Sequence, residues 1–222
     1  MTIQQNIESL RKQLPTQVRL VCVSKFHPNE DVLEAYDCGE RIFGESKVQE
    51  LCGKYESLPK DICWHFIGHL QSNKIKFIIP FVSLIHGVDS YKLLTEIDKQ
   101  AAKVGRNVNC LLQIHIAQEE TKFGFSAEEL LQMLEVGEWI KLKNIQICGL
   151  MGMATYTDKR EQIRTELIGL KTLFDQTKSL YFSEESSFCE LSIGMSDDYQ
   201  IAIEEGSTLV RIGSLIFGQR KY

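Results

Sequence analysis

The sequence predicts an α/β protein built as a closed (β/α)8 barrel, the TIM-barrel architecture. Three observations carry that expectation. Eight short runs rich in Val, Ile and Phe recur at 19–25, 41–44, 64–68, 84–88, 109–116, 145–151, 188–193 and 208–213. A helical pattern follows each run, and strands separated by helices must pair in parallel, because the crossover helix returns the chain to the same edge of the sheet. Eight such units close naturally into a barrel, and an open doubly wound sheet is the alternative that periodicity alone leaves standing.

The elements can be justified in order. An extra N-terminal helix, with Ile3, Ile7, Leu10 and Leu14 on one side, precedes the first strand. Asn29 is positioned to cap a helix whose Val32, Leu33 and Tyr36 share a face and whose stop signal is Gly39. Ser46 with Gln49, and Ser126 with Glu129, form capping-box patterns directly after strand-like segments. Leu93, Leu94, Ile97, Ala101 and Val104 make one further amphipathic face, and Ile163, Leu167, Leu170 and Phe174 make another. No linker or low-complexity tract interrupts the rhythm, so residues 1–222 are expected to form a single domain.

The chain has 222 residues, of which 43% are hydrophobic, enough for one compact domain with a sizeable core. A net charge of −5 makes nucleic acid or an anionic membrane a poor partner and leaves small molecules open. The seven cysteines are odd in number and never form a C-x-x-C pair, so they read as reduced, mostly buried thiols. The N-terminus has no basic start followed by an apolar stretch, and the longest apolar segment, Phe77 to Ile85, is short and broken by Pro80. A cytoplasmic protein with no membrane association is expected.

Chemistry concentrates at the strand ends. Lys25 closes the first strand, where Val21, Val23 and Lys25 share one face; Leu209, Arg211 and Gly213 share one face of the eighth. Closure of the barrel would make these strands neighbours. A strand-end lysine by itself usually snorkels to solvent. Here an apolar wall and the cation of Arg211 would favour its neutral, nucleophilic amine. Gly213-Ser214 can offer N–H groups and a hydroxyl to a phosphate, and Ser196 precedes a helix bearing Tyr199, Ala202 and Ile203. Asp197 and Asp198 either complement that helix's dipole or, facing the ligand, would repel it. A lysine facing a phosphate cradle suggests Schiff-base chemistry on a phosphorylated aldehyde.

His65 and His69 are four residues apart, but His65 lies in a predicted strand and His69 after it, so the helical argument for a metal pair fails and no metal is expected. His69 lies in a strand-to-helix loop where it could touch a ligand, although an ordinary polar loop residue is the blander reading. Lys122 falls after strand five on the same barrel face and is a second candidate amine.

In combination, Val21-Cys22-Val23-Ser24-Lys25, Phe43-Gly44-Glu45 with Val48-Gln49-Glu50, the run Trp64 to Lys74, Gly149-Leu150-Met151, Leu191 to Asp198, and Val210-Arg211-Ile212-Gly213 through Gly218 resemble the small pyridoxal-phosphate homeostasis proteins. These are single-domain relatives of the alanine racemase barrel, and the resemblance covers nearly the whole chain. It implies a barrel of the alanine racemase N-terminal type and pyridoxal 5′-phosphate as cofactor, held as a Schiff base on Lys25. It further implies a phosphate held around Ser192, Ser196, Gly213 and Ser214, with Arg211 facing the pyridine nitrogen. The cofactor-binding set is thus expected to be Lys25, Ser192, Gly194, Met195, Ser196, Arg211, Gly213 and Ser214. One departure stands out: Ser46-Lys47 occupies the place where the family commonly has Asn-Tyr.

The resemblance also bears on turnover. Pyridoxal phosphate acts as an electron sink when its ring nitrogen is protonated, and arginine in that place disfavours protonation. Racemisation can proceed with an arginine there, but it also needs acid–base groups on both faces of the substrate carbon, and racemases of this class take the second, a tyrosine, from an additional domain across a dimer interface. The chain ends nine residues beyond Gly213, so that second face is expected to be missing. The expected function is intracellular pyridoxal phosphate homeostasis by a monomeric carrier without catalytic residues, with pyridoxal-phosphate-dependent apoenzymes as recipients. The alternative is a racemase-like enzyme or a Schiff-base aldolase, the latter requiring an acid–base group near the lysine that the strand ends do not offer.

Overall fold

The computed structural model describes residues 2–118 and 123–219. Strands β1 (Arg19–Val23), β2 (Ile42–Glu45), β3 (Cys63–Phe66), β4 (Leu84–Val88), β5 (Val108–Ile114), β6 (Ile145–Gly152), β7 (Glu190–Ser192) and β8 (Leu209–Ile212) close in sequence order, β8 pairing back onto β1. Every pair is parallel. The open-sheet alternative is therefore excluded. Around the ring run α1 (Ile3–Arg11), α2 (Asn29–Asp37), α3 (Val48–Ser57), α4 (Ile75–Ile78), α5 (Tyr91–Lys103), α6 (Ala127–Val136), α7 (Arg160–Tyr181), α8 (Tyr199–Glu204) and α9 (Ser214–Phe217).

Alternation along the strands produces two cores. Leu20, Cys22, Phe43, Trp64, Phe66, Cys110 and Leu112 pack outward against the helices. Val21, Leu84, Leu111, Cys148, Met151 and Leu209 fill the interior of the ring. Register places Val21 opposite Arg211 across the β1–β8 seam, so the inward faces read from the sequence do meet. Burial is what holds the ring closed: a wholly buried aliphatic or aromatic side chain contributes roughly 1.5–3 kcal/mol.

Two expected caps are not made. Pro28, which offers no acceptor side chain, takes the cap position of α2, and Asn29 is already its first helical residue. Lys47 rather than Ser46 precedes α3, because β2 stays extended through Glu45 and the Ser46 backbone lies hard against Gly68. The Ser126–Glu129 box does form, its reciprocal bonds measuring 2.8 and 3.1 Å, and Ser90 caps α5. Among the described residues, no helix is long and apolar enough to cross a membrane.

Candidate functional site

A cavity of about 270 Å³ opens at the C-terminal mouth of the ring. Val23 and Lys25 from the end of β1, Arg211 from β8, Met195 and Ser196 after β7, and Gly213 and Ser214 after β8 all line it. Residues 190 places apart in sequence thus share one wall. A roomier cleft of about 550 Å³ adjoins it, sharing Met153, Tyr156, Met195 and Asp197.

Lys25 is presented by a tight turn. His27 N–H donates to the Ser24 carbonyl at 3.0 Å, and Phe26 adopts a left-handed φ of 67°, unusual for a residue with a Cβ. The adjoining position carries the family departure: the Lys47 ammonium sits 4.6 Å from the centre of the Phe26 ring.

Arg211 is only 5% exposed. Its guanidinium donates to the Ser192 carbonyl at 2.7 Å, the Ser192 hydroxyl at 2.6 Å and the Gly152 carbonyl at 3.0 Å. Burial pulls its pKa down to about 10, still high enough for a cation at neutral pH. Ser192 is wholly buried behind it and reaches His86 Nδ1 at 2.9 Å, while His86 Nε2 lies 3.0 Å from His65 Nδ1. Arginine can only donate, so the chain is satisfied when Ser192 turns its proton to His86 and His86 donates to His65. Burial lowers the pKa of His65 to about 3 and that of His86 well below its ordinary value, so both rings are neutral.

The phosphate half of the expected set is shaped by backbone. Gly194 takes φ +94°, and a Cβ there would lie 2.6 Å from that of Ala202, so the chain can turn closely over α8 only without a side chain. The Gly213 N–H faces Ser196 Oγ at 3.4 Å. Asp198 turns back to accept the Met195 N–H at 2.6 Å, and burial raises its pKa. Asp197 lines the cavity. Helix α8 begins only at Tyr199 and spans six residues, so Ser196 stands three residues before it rather than at its start.

Of the eight expected cofactor residues, Lys25, Met195, Ser196, Arg211, Gly213 and Ser214 share the cavity wall, whereas Ser192 and Gly194 lie behind it. His69 is tied to Asp89 at 2.9 Å and stacked on Phe123 with ring centres 3.9 Å apart, and it does not line this cavity. Lys122 lies outside the described residues. Among those described, no group of three or more His, Cys, Asp or Glu side chains could hold a metal ion. The His86–His65 pair escaped sequence reading, although a histidine inside Leu84-Ile85-His86-Gly87-Val88 at an inward position was its signal.

Such a mouth, with an amine in the turn just after the first strand and a buried guanidinium on the last, defines a class of parallel barrels suited to a small phosphorylated carbonyl compound. The pattern of the family described as alanine racemase, N-terminal domain, matches residues 1–221. The pyridoxal phosphate homeostasis protein of Aquifex aeolicus is 40% identical over 205 residues, covering 92% of this chain and 88% of the relative. That of Synechocystis is 40% identical over 212 residues, 93% of this chain and 94% of the relative. PipY of Synechococcus elongatus with pyridoxal phosphate bound superposes with a TM-score of 0.86 at 33% identity, over 98% of this chain and 100% of that one. Alanine racemase of Clostridium difficile, at 14% identity and a TM-score of 0.76, shares the fold over 100% of this chain and 56% of its own. The chain belongs to the alanine racemase N-terminal domain family and, within it, to the pyridoxal phosphate homeostasis proteins.

Proposed function

We propose that this protein binds pyridoxal 5′-phosphate at the barrel mouth and holds it in custody for the cell, releasing it to apoenzymes that need it. The observation that carries the reading is the meeting of Lys25 and the buried Arg211 on one cavity wall. The donor set fits the ligand: Lys25 supplies an amine, Ser196, Ser214 and the Gly213 N–H supply donors suited to a phosphate, and Val23 supplies an apolar wall. Bound there, the aldehyde supplies a carbon that the Lys25 amine can hold covalently and reversibly.

Arg211 supports custody over turnover, although racemisation can also proceed with an arginine in that place. Held by three hydrogen bonds and still cationic, it opposes protonation of a ring nitrogen placed beside it, which weakens the electron sink that amino-acid chemistry uses. Ser192 serves this reading from behind, by fixing the guanidinium, and Gly194 by shaping the loop. The relatives' description as homeostasis proteins agrees with such a role. The seven free cysteines suit a reducing compartment, which supports a cytoplasmic location. We read residues 1–222 as one ligand-binding domain acting as a monomer.

Borohydride trapping with peptide mapping tests the assignment. The adduct is expected on Lys25, and Lys25→Ala should lose it while its circular dichroism stays that of the parent; a coloured, trappable Lys25→Ala protein would defeat the proposal. Incubating the loaded protein with amino acids in deuterated water tests custody, since exchange at the α-carbon would establish catalysis instead.

A further inference from the structure

Both peptide groups that flank Lys25 are tied to one buried cluster of charge. Lys54, on α3, is 4% exposed, an uncommon burial for lysine. Its ammonium donates to the Ser24 carbonyl at 2.7 Å, to Glu45 Oε1 at 2.7 Å and to Glu50 Oε1 at 2.8 Å, so its three protons meet three acceptors. Ser24 Oγ donates to the same Glu45 oxygen at 2.7 Å, and the Phe26 N–H donates to the same Glu50 oxygen at 2.6 Å. The peptide entering Lys25 is therefore held through its carbonyl by Lys54, and the peptide leaving it through its N–H by Glu50.

That arrangement offsets a local cost. Phe26 is the one non-glycine residue with positive φ among those described, a strain that persists only where surrounding contacts over-determine it. Glu45 Oε2 is buried without a partner, and burial raises the Glu45 pKa to about 7, against the pull of Lys54. With Glu45 protonated, Lys54 and Glu50 leave the cluster neutral. None of the three lines the cavity, and the cluster's hydrogen bonds go to Ser24 and Phe26 rather than to Ser196, Gly213 or Ser214.

We propose that Lys54, with Glu45 and Glu50, is the positioning device for Lys25: it sets the Ser24–His27 turn that delivers the amine to the ligand, independently of the phosphate-binding half of the site. The proposal rests on Lys25 being the residue that holds the aldehyde. A buried ion cluster is weak support for stability but well suited to enforcing one geometry. Small misplacements of a reacting group are costly in rate.

The test compares two ligands on the full chain. Pyridoxal 5′-phosphate reads the amine and the phosphate half together; pyridoxamine 5′-phosphate has the same ring and phosphate but no aldehyde, and reads the phosphate half alone. Lys54→Met is expected to weaken binding of the aldehyde, and to slow borohydride-trapped labelling of Lys25, by on the order of tenfold or more. Its affinity for pyridoxamine 5′-phosphate should be that of the parent. Equal losses for both ligands would mean general structural damage and would overturn the positioning role, as would no loss for either. If Lys54→Met does not fold, Glu50→Ala carries the same comparison, because it releases the Phe26 N–H from the more exposed side of the cluster. Absence of a Lys25 adduct in the parent would instead remove the reading beneath the proposal, and the proposal with it.

Discussion

Burial decides the charge of the titratable side chains inside this barrel, and the signs differ from one to the next. His65 falls from its ordinary 6.5 to about 3, and His86 falls well below 6.5. Below pH 6.5 the unfolded chain takes up those protons and the native state does not, so stability is present above 6.5 and is lost as pH falls. Glu45 acts oppositely: its pKa rises from 4.5 to about 7, so between these values the native state holds a proton that the unfolded chain has released. Between pH 6.5 and 4.5 the histidines and the glutamate therefore pull stability in opposite directions. Glu45→Gln removes the opposing group. Urea unfolding at pH 6.5, 5.5 and 4.5 should show its acid limb steeper than the parent's, by on the order of 1 kcal/mol per pH unit for one proton. Parallel limbs would mean that Glu45 is ionised throughout.

At the scale of elements, the loop between β7 and α8 carries the phosphate side and depends on Gly194. Strand β7 is three residues long, and the Arg211 N–H of β8 donates to the Gly194 carbonyl at 2.9 Å, so Gly194 itself ties the loop to the sheet. Gly194→Ala adds left-handed strain and a contact with Ala202. It should lower stability by about 1–3 kcal/mol in thermal or urea unfolding. Because the loop carries Met195 and Ser196, affinity for pyridoxamine 5′-phosphate should fall as well, whereas Lys54→Met leaves it alone. The two substitutions separate the halves of the site.

For the whole molecule, closure is the organising fact, and the first and last elements stand beside its seam. Helix α1 packs on α2 and α9, and Asn6 donates across to the Ile216 carbonyl at 2.8 Å. Leu10 is buried in that joint. Leu10→Ala should cost about 2–5 kcal/mol of unfolding free energy. Since one core runs round the ring, far-ultraviolet dichroism and the fluorescence of Trp64 and Trp139 should report coincident transitions in urea. Separate transitions would contradict a single cooperative unit.

Local chemistry was legible from the chain alone wherever period and spacing carry the information. Alternation of Val21, Val23 and Lys25, and of Leu209, Arg211 and Gly213, is a property of extended backbone, and eight strand–helix units compel parallel pairing. The capping pattern at Ser126 held because both its partners lie within one turn. At Ser46 it did not, because the packing of Gly68 kept the strand extended for one residue more. What tertiary structure alone decided are contacts that no short spacing encodes: His86 reaching Ser192 across 106 positions, Ser192 standing behind Arg211, and Lys54 reaching back 30 residues to the carbonyl before Lys25. Those depend on ring closure, which brings sequence-distant strand ends to one mouth and buries polar groups where only specific partners can satisfy them.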